Sequence, residues 1–178
     1  LKFETLFTNK KGVQHWREVF LNPIKDENEQ VVEVSCIAHD ITDQKSAEEN
    51  IRQQEEKFHL LFSKANDAIF IMDNEKFVEC NEKTLKMFGC EEKDIIGKTP
   101  FDFSPEEQPG GKKSIDAGEE KIKAALAGNS QFFYWKHITK KGTPFDAEVS
   151  LNSFKTGEQI FLQAIVRDIS ERKEAERL

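Results

Sequence analysis

The chain repeats itself, and the repeat limits what it can fold into. Lys10-Lys11-Gly12 recurs as Lys140-Lys141-Gly142, a displacement of 130 residues. At the same displacement Glu18-Val19 matches Glu148-Val149, and Leu21-Asn22 matches Leu151-Asn152. Further on, Asp40-Ile41-Thr42 matches Asp168-Ile169-Ser170 at a displacement of 128, and Lys45, Ala47 and Glu48 match Lys173, Ala175 and Glu176. Two extra residues therefore lie in the first copy, between Asn22 and Val31, where Pro23, Asp26, Asn28 and Glu29 read as a turn. Hairpin tips accept such insertions. Matches that keep their order across an insertion at a turn describe two copies of one supersecondary unit. The second copy is preceded by residues 58–130, for which the first has no counterpart. The expectation is a chain that starts inside one unit and contains the next one whole.

The repeated segment reads as three strands. Leu1–Thr8 and Gln131–Thr139 are rich in aromatic and β-branched residues, and Asn9–Gly12 and Lys140–Gly142 read as hairpin turns. Alternation places Phe145, Ala147, Val149 and Leu151 on one face of the second strand, with Asp146, Glu148, Ser150 and Asn152 on the other. Ile160, Leu162, Ala164 and Val166 share a face of the third strand, and Val32, Val34, Cys36 and Ala38 match them in the first copy. Cys36 thus reads as a small core residue rather than a reactive thiol.

Between the copies the period changes. From Thr42 to about Ala65 there is no Gly or Pro, and Ala47, Ile51, Gln54, Phe58, Leu61 and Ala65 follow heptad spacing. This predicts a helix with Thr42 or Asp43 capping its start. It reads either as a solvated connector or as a dimeric signalling helix. Next come a hairpin, Ala68–Asp73 and Lys76–Cys80, and a short helix that Asn81 caps and Gly89 closes. A second short helix or turn covers Glu91–Gly97, and Thr99–Gly111 reads as a loop. An amphipathic helix over Ser114–Ala127 carries Ile115, Ile122 and Leu126 on one face. The fold class is α+β: a five-stranded antiparallel sheet with helices on one face, preceded by a three-stranded partial unit and a linker helix. The expected divisions are 1–42 for the partial unit, 43–57 for the linker, 58–170 for the complete domain and 171–178 for the start of an outgoing helix.

Composition closes several alternatives. Twenty-six Lys and Arg against 33 Asp and Glu leave a net charge of −7, a poor match for a phosphate backbone, so nucleic acid is not expected as a partner. Fifteen Phe residues argue against disorder. No run of about 18 apolar residues is present, so no membrane contact by this segment is expected. No basic leader precedes an apolar core. Cys36, Cys80 and Cys90 form no CxxC pair, which favours a reducing, cytoplasmic setting over a disulfide framework or a zinc site. His15, His39, His59 and His137 have no metal-ligand spacing. Neither a nucleophile–His–acid arrangement, a phosphate loop nor an HExxH is present, so catalysis is not expected and no metal site is assigned.

Several stretches together resemble a PAS sensory domain. Phe58-His59-Leu60-Leu61-Phe62 followed by Asn66-Asp67-Ala68-Ile69 is similar to the family's leading helix and first strand. Glu79-Cys80-Asn81-Glu82 through Met87-Phe88-Gly89 is similar to its second strand and following helix, with Asn81 at the family's characteristic Asn position. Ile95-Ile96-Gly97-Lys98 resembles its "iGk" turn, and Thr99 through Pro109 resembles a loop of one bacterial and archaeal branch. Asp40-Ile41-Thr42 and Asp168-Ile169-Ser170 resemble its exit motif. An Asp there can accept from free N–H groups of the outgoing helix. That serves as a cap, and it also ties sheet distortion to helix motion.

The resemblance implies a sensor and relay segment of a bacterial or archaeal histidine kinase or diguanylate cyclase, with the catalytic domain elsewhere in the parent protein. It places a ligand cleft between the helices and the inner sheet face, near Leu85, Phe88, Ile122, Leu126, Val149, Leu151, Leu162 and Ala164. A plain packed core remains the alternative there. No cofactor is evident. Haem is disfavoured because Ser114–Ala127 offers no His, Cys or Met. Flavin is disfavoured because neither Cys80 nor Cys90 sits in an Asn-Cys-Arg-Phe-like run. An unidentified small ligand remains compatible. Phe132, Phe133, Tyr134 and Trp135 alternate, which splits the rings between two faces rather than forming a cage.

The partner expectations are a homodimer through the linker helix and a sheet face, and adjacent PAS or output domains. Trp16 and Phe20, opposite Val19 and Leu21, are interface candidates, as are Ile51, Phe58 and Leu61. A three-stranded remnant exposes both faces, so a second chain, the intact domain or a swapped element is expected to cover it. The alternative function is a ligand-free dimerisation scaffold.

Overall fold

A computed structural model describes residues 1–176. The chain forms two compact units, Leu1–Phe58 and a second from His59 on. In the first, β1 (Lys2–Thr8), β2 (Gln14–Lys25) and β3 (Val31–Asp40) make an antiparallel sheet in chain order. Phe3 pairs with Val19 and Val19 with Ala38, so one face carries Phe3, Val19 and Ala38. Leu6 pairs with Trp16, and Phe20 with Ile37, on the other. The helix α1 (Thr42–Ser63) follows. Within this unit Lys45 holds Glu4 at 2.7 Å and lies 5.8 Å from the Trp16 ring centroid, so the first turns of α1 lie over the Trp16 face.

Three expectations for this unit change. Pro23 lies within β2, opposite Val34, and the turn is confined to the residues after Lys25. Proline is tolerated there because Leu21 turns its N–H and carbonyl to Leu1, so the place of the missing N–H two residues on falls past the β1–β2 ladder. Cys36 is exposed rather than in a core, because β1–β3 alone bring no helix over that face. The start of α1 is capped by Asp40, not by Thr42 or Asp43: Thr42 donates both its N–H and its hydroxyl to Asp40 Oδ1.

The second unit is a five-stranded antiparallel sheet in the order β5-β4-β8-β7-β6. Its strands are β4 (Ala68–Asp73), β5 (Lys76–Cys80), β6 (Gln131–Ile138), β7 (Pro144–Thr156) and β8 (Gln159–Asp168). The register brings Phe133 opposite Val149, Val149 opposite Val166, Leu151 opposite Ala164 and Met72 opposite Leu162. These alternating residues form one apolar face. The helices α2 (Glu82–Phe88), α3 (Glu92–Ile95) and α4 (Ser114–Leu126), with a 3₁₀ turn at Pro100–Phe103, cover it. Asn81 caps α2, and Gly89 ends it in the left-handed conformation at φ 64°, where a side chain would be strained. The segment read as a loop over Thr99–Gly111 thus contains one ordered 3₁₀ turn, opened by Thr99 N–H and hydroxyl donating to Asp102.

The buried stripe of α4 is Ser114, Gly118, Ile122 and Ala125, and Ile115 is exposed. Hydrophobicity pointed to Ile115, but close approach selects small residues. A Cβ on Gly118 would stand 2.5 Å from Phe101 Cε1, so the missing side chain makes room for that ring. Helix α5 (Ser170–Ala175) follows β8, and Arg177 and Leu178 of the expected outgoing helix lie outside the described residues. No helix among the described residues is long and apolar enough to cross a membrane.

Candidate functional site

Phe88, on the last turn of α2, is the hub of the cleft. Its ring meets Phe70, Phe103, His137 and Phe145 edge-on at centroid distances of 5.5, 5.5, 5.4 and 5.2 Å. Edge-to-face pairs each add about 0.5–1.5 kcal/mol beyond their burial. Beside this cluster lies a cavity of about 50 Å³, with Phe88, Ile122, Val149, Leu151 and Ala164 on its wall. These five of the eight expected cleft residues come together. Leu162 is buried in the core but off the wall, and Leu85 and Leu126 are partly buried against the core. Sequence reading missed Met72, Phe101 and Phe103 on the wall, because a loop and a short first strand gave no helical period. It placed His137 on a strand without a role.

His137 is the polar member of the wall that stands out. It is 6% exposed, and its Nδ1 lies 3.2 Å from the Phe103 carbonyl oxygen. A carbonyl only accepts, so Nδ1 carries the hydrogen and Nε2 a lone pair. Burial pushes the imidazole pKa down to about 4, against a smaller upward pull from the Phe103 carbonyl, so the ring is neutral near pH 7. Neighbouring polar groups are satisfied. Trp135 Nε1 donates to Ser104 Oγ at 2.9 Å, and Ser104 Oγ donates to the Pro100 carbonyl. Burial also raises the Cys80 thiol to about 11 and the Cys90 thiol upward, so neither is a ready nucleophile. Among the described residues no group of three His, Cys, Asp or Glu is placed to hold a metal ion.

The exit motif has the same geometry twice. The Asp40 carboxylate accepts from Thr42 N–H, and that of Asp168 accepts from Ser170 N–H at 2.9 Å. Thr42 Oγ1 accepts from Trp16 N–H, and Ser170 Oγ from Asp146 N–H. Ile41 N–H donates to the Trp16 carbonyl, and Ile169 N–H to the Asp146 carbonyl, each at 2.9 Å. Each motif therefore fastens the first turn of a helix to the middle strand of its own repeat. In the second unit Lys173 and Arg172 of α5 add ion pairs to Asp146 and Glu148 of β7. Trp16 is 37% exposed, Phe20 is half-buried, and Ile51, Phe58 and Leu61 are exposed on α1.

A family model for the PAS domain matches residues 1–43 and 66–171. The chain belongs to the PAS-domain family. It is 28% identical over 164 residues to sporulation kinase A of Bacillus subtilis, covering 90% of this chain and 26% of that protein. It is 26% identical over 132 residues to the methyl sulfide methyltransferase-associated sensor of Methanosarcina acetivorans, covering 73% of this chain and 13% of that protein. The chain thus spans about a quarter or less of these relatives. In fold it is similar to the PAS domain of an HTR-like protein from Haloarcula marismortui, with a TM-score of 0.61 and 19% identity, over 70% of this chain and 99% of that one.

Proposed function

We propose that the chain is the sensory and relay segment of a histidine-kinase-type signalling protein in the cytoplasm, and that residues 1–42 are the last three strands of a further PAS unit. A small molecule or other cue acts on the cleft around Phe88. The cleft's inner sheet face includes Val149, Leu151 and Ala164, so a changed wall moves β7 and β8. Those strands end in the hydrogen bonds of Asp168, Ile169 and Ser170, which carry the displacement into α5. A cue shifts the output only by binding one state better than the other. The observation that carries this reading is the doubled exit geometry. Two helices, each capped by the Asp that ends its last strand and fastened by the same two bonds to the middle strand of its repeat, support a relay at each domain end.

The second reading is a ligand-free scaffold that dimerises through α1 and a sheet face. The small cavity and the exposed Ile51 and Leu61 favour it. Native mass spectrometry and an absorbance scan of the purified chain separate the two. A co-purifying small molecule supports sensing. An empty cleft together with concentration-dependent dimers supports the scaffold.

A further inference from the structure

The sheet of the second unit ends at β6, and the far edge of β6 is open. Lys136 gives its N–H to Gln108 Oε1 at 2.8 Å, and its carbonyl accepts from Gln108 Nε2 at 3.1 Å. Asp146, its partner in β7, also turns away from the shared ladder: its N–H donates to Ser170 Oγ and its carbonyl accepts from Ile169 N–H. Lys136 and Asp146 therefore exchange no ladder bonds. In an antiparallel ladder such pairs alternate with bonded ones. Tyr134 opposite Glu148 and Phe132 opposite Ser150 are then of the same kind. They turn their N–H and carbonyl groups out of the sheet, where among the described residues no further strand lies. The Gln108 amide stands at Lys136 like one peptide group of a strand that continues no further. Phe132 and Tyr134 themselves are 67% and 61% exposed.

A groove of about 510 Å³ runs along this edge. On its α4 side stand Lys112, paired with Glu120, and Lys121. Lys121 reaches Gln131 Oε1 and the Phe133 ring, and among the described residues no carboxylate lies within ion-pair distance of it. On the α5 side stand Lys136, Arg172 and Lys173. Lys136 and Lys173 share Asp146, and Arg172 holds Glu148 and, more distantly, Glu176. Five cations thus face four carboxylates here, in a chain whose net charge is −7. We infer that β6 takes on a sixth strand: an extended, acidic segment of a partner protein, paired with the open backbone groups of Phe132 and Tyr134. This interaction surface goes beyond the cleft reading and does not depend on it. Backbone bonds hold such a segment, and side-chain charge selects it. An added strand alternates its side chains between the two sheet faces, and each face brings them to cations. Lysines along an edge repel most strands. A second copy that laid β6 against β6 would bring two basic grooves together, whereas an acidic segment meets opposite charge.

The probe is a heptapeptide with blocked ends that alternates Glu and Val. It is titrated into the 178-residue chain while the backbone amides are followed by NMR. Binding is expected to slow exchange severalfold at the Phe132 and Tyr134 amides and to leave Phe133, already bonded to β7, unchanged. The same peptide with Lys in place of Glu is expected to bind at least tenfold more weakly. So is a Glu peptide N-methylated at its three central residues, which keeps the charge and loses the strand's N–H donors. Tyr134→Pro removes one open-edge N–H at a place where a sheet accepts proline, and about a fivefold loss is expected. Equal binding of the N-methylated peptide overturns the strand pairing, and equal binding of the Lys peptide overturns the acidic assignment. Unchanged exchange at Phe132 and Tyr134 at saturating Glu peptide overturns the proposal outright. A concentration-dependent dimer in sedimentation that Tyr134→Pro converts to a monomer also overturns it, because the edge is then filled by a second copy.

Discussion

Asn81 makes more of its side chain than any surface asparagine could. Its Nδ2 donates to the carbonyls of Phe62 and Asp67, and its Oδ1 accepts from the N–H groups of Ile69 and Thr84 and from the Thr84 hydroxyl. It is 2% exposed, so its loss strands backbone groups that water cannot reach. Asn81→Ala is expected to cost about 3 kcal/mol, read by urea denaturation. Asn81→Asp, which turns an oxygen toward the two carbonyls that Nδ2 served, is expected to cost at least as much. His137 gives a pH dependence whose sign is fixed by burial. Its pKa is 6.5 in the unfolded chain and about 4 in the folded one. The unfolded chain therefore takes up a proton first. Stability is full above the unfolded pKa and is lost as the pH falls toward the folded one. Between about pH 7 and about pH 5 the wild type is expected to lose about 2 kcal/mol more than His137→Phe. Equal losses in the two proteins would refute the buried neutral state.

At the scale of elements, the exit motifs determine how helices leave strands. In α5 the cap comes from Asp168, and the second anchor from Ser170 to Asp146 N–H. A lost cap costs about 1 kcal/mol. Because α5 is short and has no buried side chain, that loss should appear locally. Asp168→Ala is expected to raise hydrogen exchange over residues 171–175 severalfold while leaving β4 unchanged. Unchanged protection of α5 would mean that Arg172 and Lys173 hold it without the motif. Helix α4 shows where element-level reading fails. Its period was legible, yet its buried stripe turned from Ile115 toward Gly118 and Ala125. Hydrophobic pattern ranks side chains by size and greasiness, whereas the Phe101 ring selects a position with no side chain at all.

At the scale of the whole molecule, α1 contributes no fully buried residue, although it carries a heptad pattern. Ile51 is 59% and Leu61 66% exposed, far more apolar surface than a solvated connector requires. If a second copy covers this stripe, sedimentation of the wild type gives a concentration-dependent dimer, and Ile51→Glu with Leu61→Glu gives a monomer. Melting of the second unit is then unchanged, since neither side chain belongs to its core. A monomer at all concentrations would rule out the dimeric helix.

The sequence by itself determined the repeat, the strand alternation, the heptad helix, the Asn81 cap and the position of both exit motifs. Each is a local pattern: alternation, period or a cap is written in residues a few places apart. Only the tertiary structure decided what those elements enclose. Phe101, Phe103 and Gly118 meet because a 3₁₀ turn and a helix fold over one sheet face, and the unpaired nitrogen of His137 exists only because Phe103 claims the other one. Likewise, Cys36 reads as core by alternation and is exposed because burial needs a second layer, which no single strand's pattern can supply. Faces are encoded locally. Cavities and coverage are properties of what packs against them.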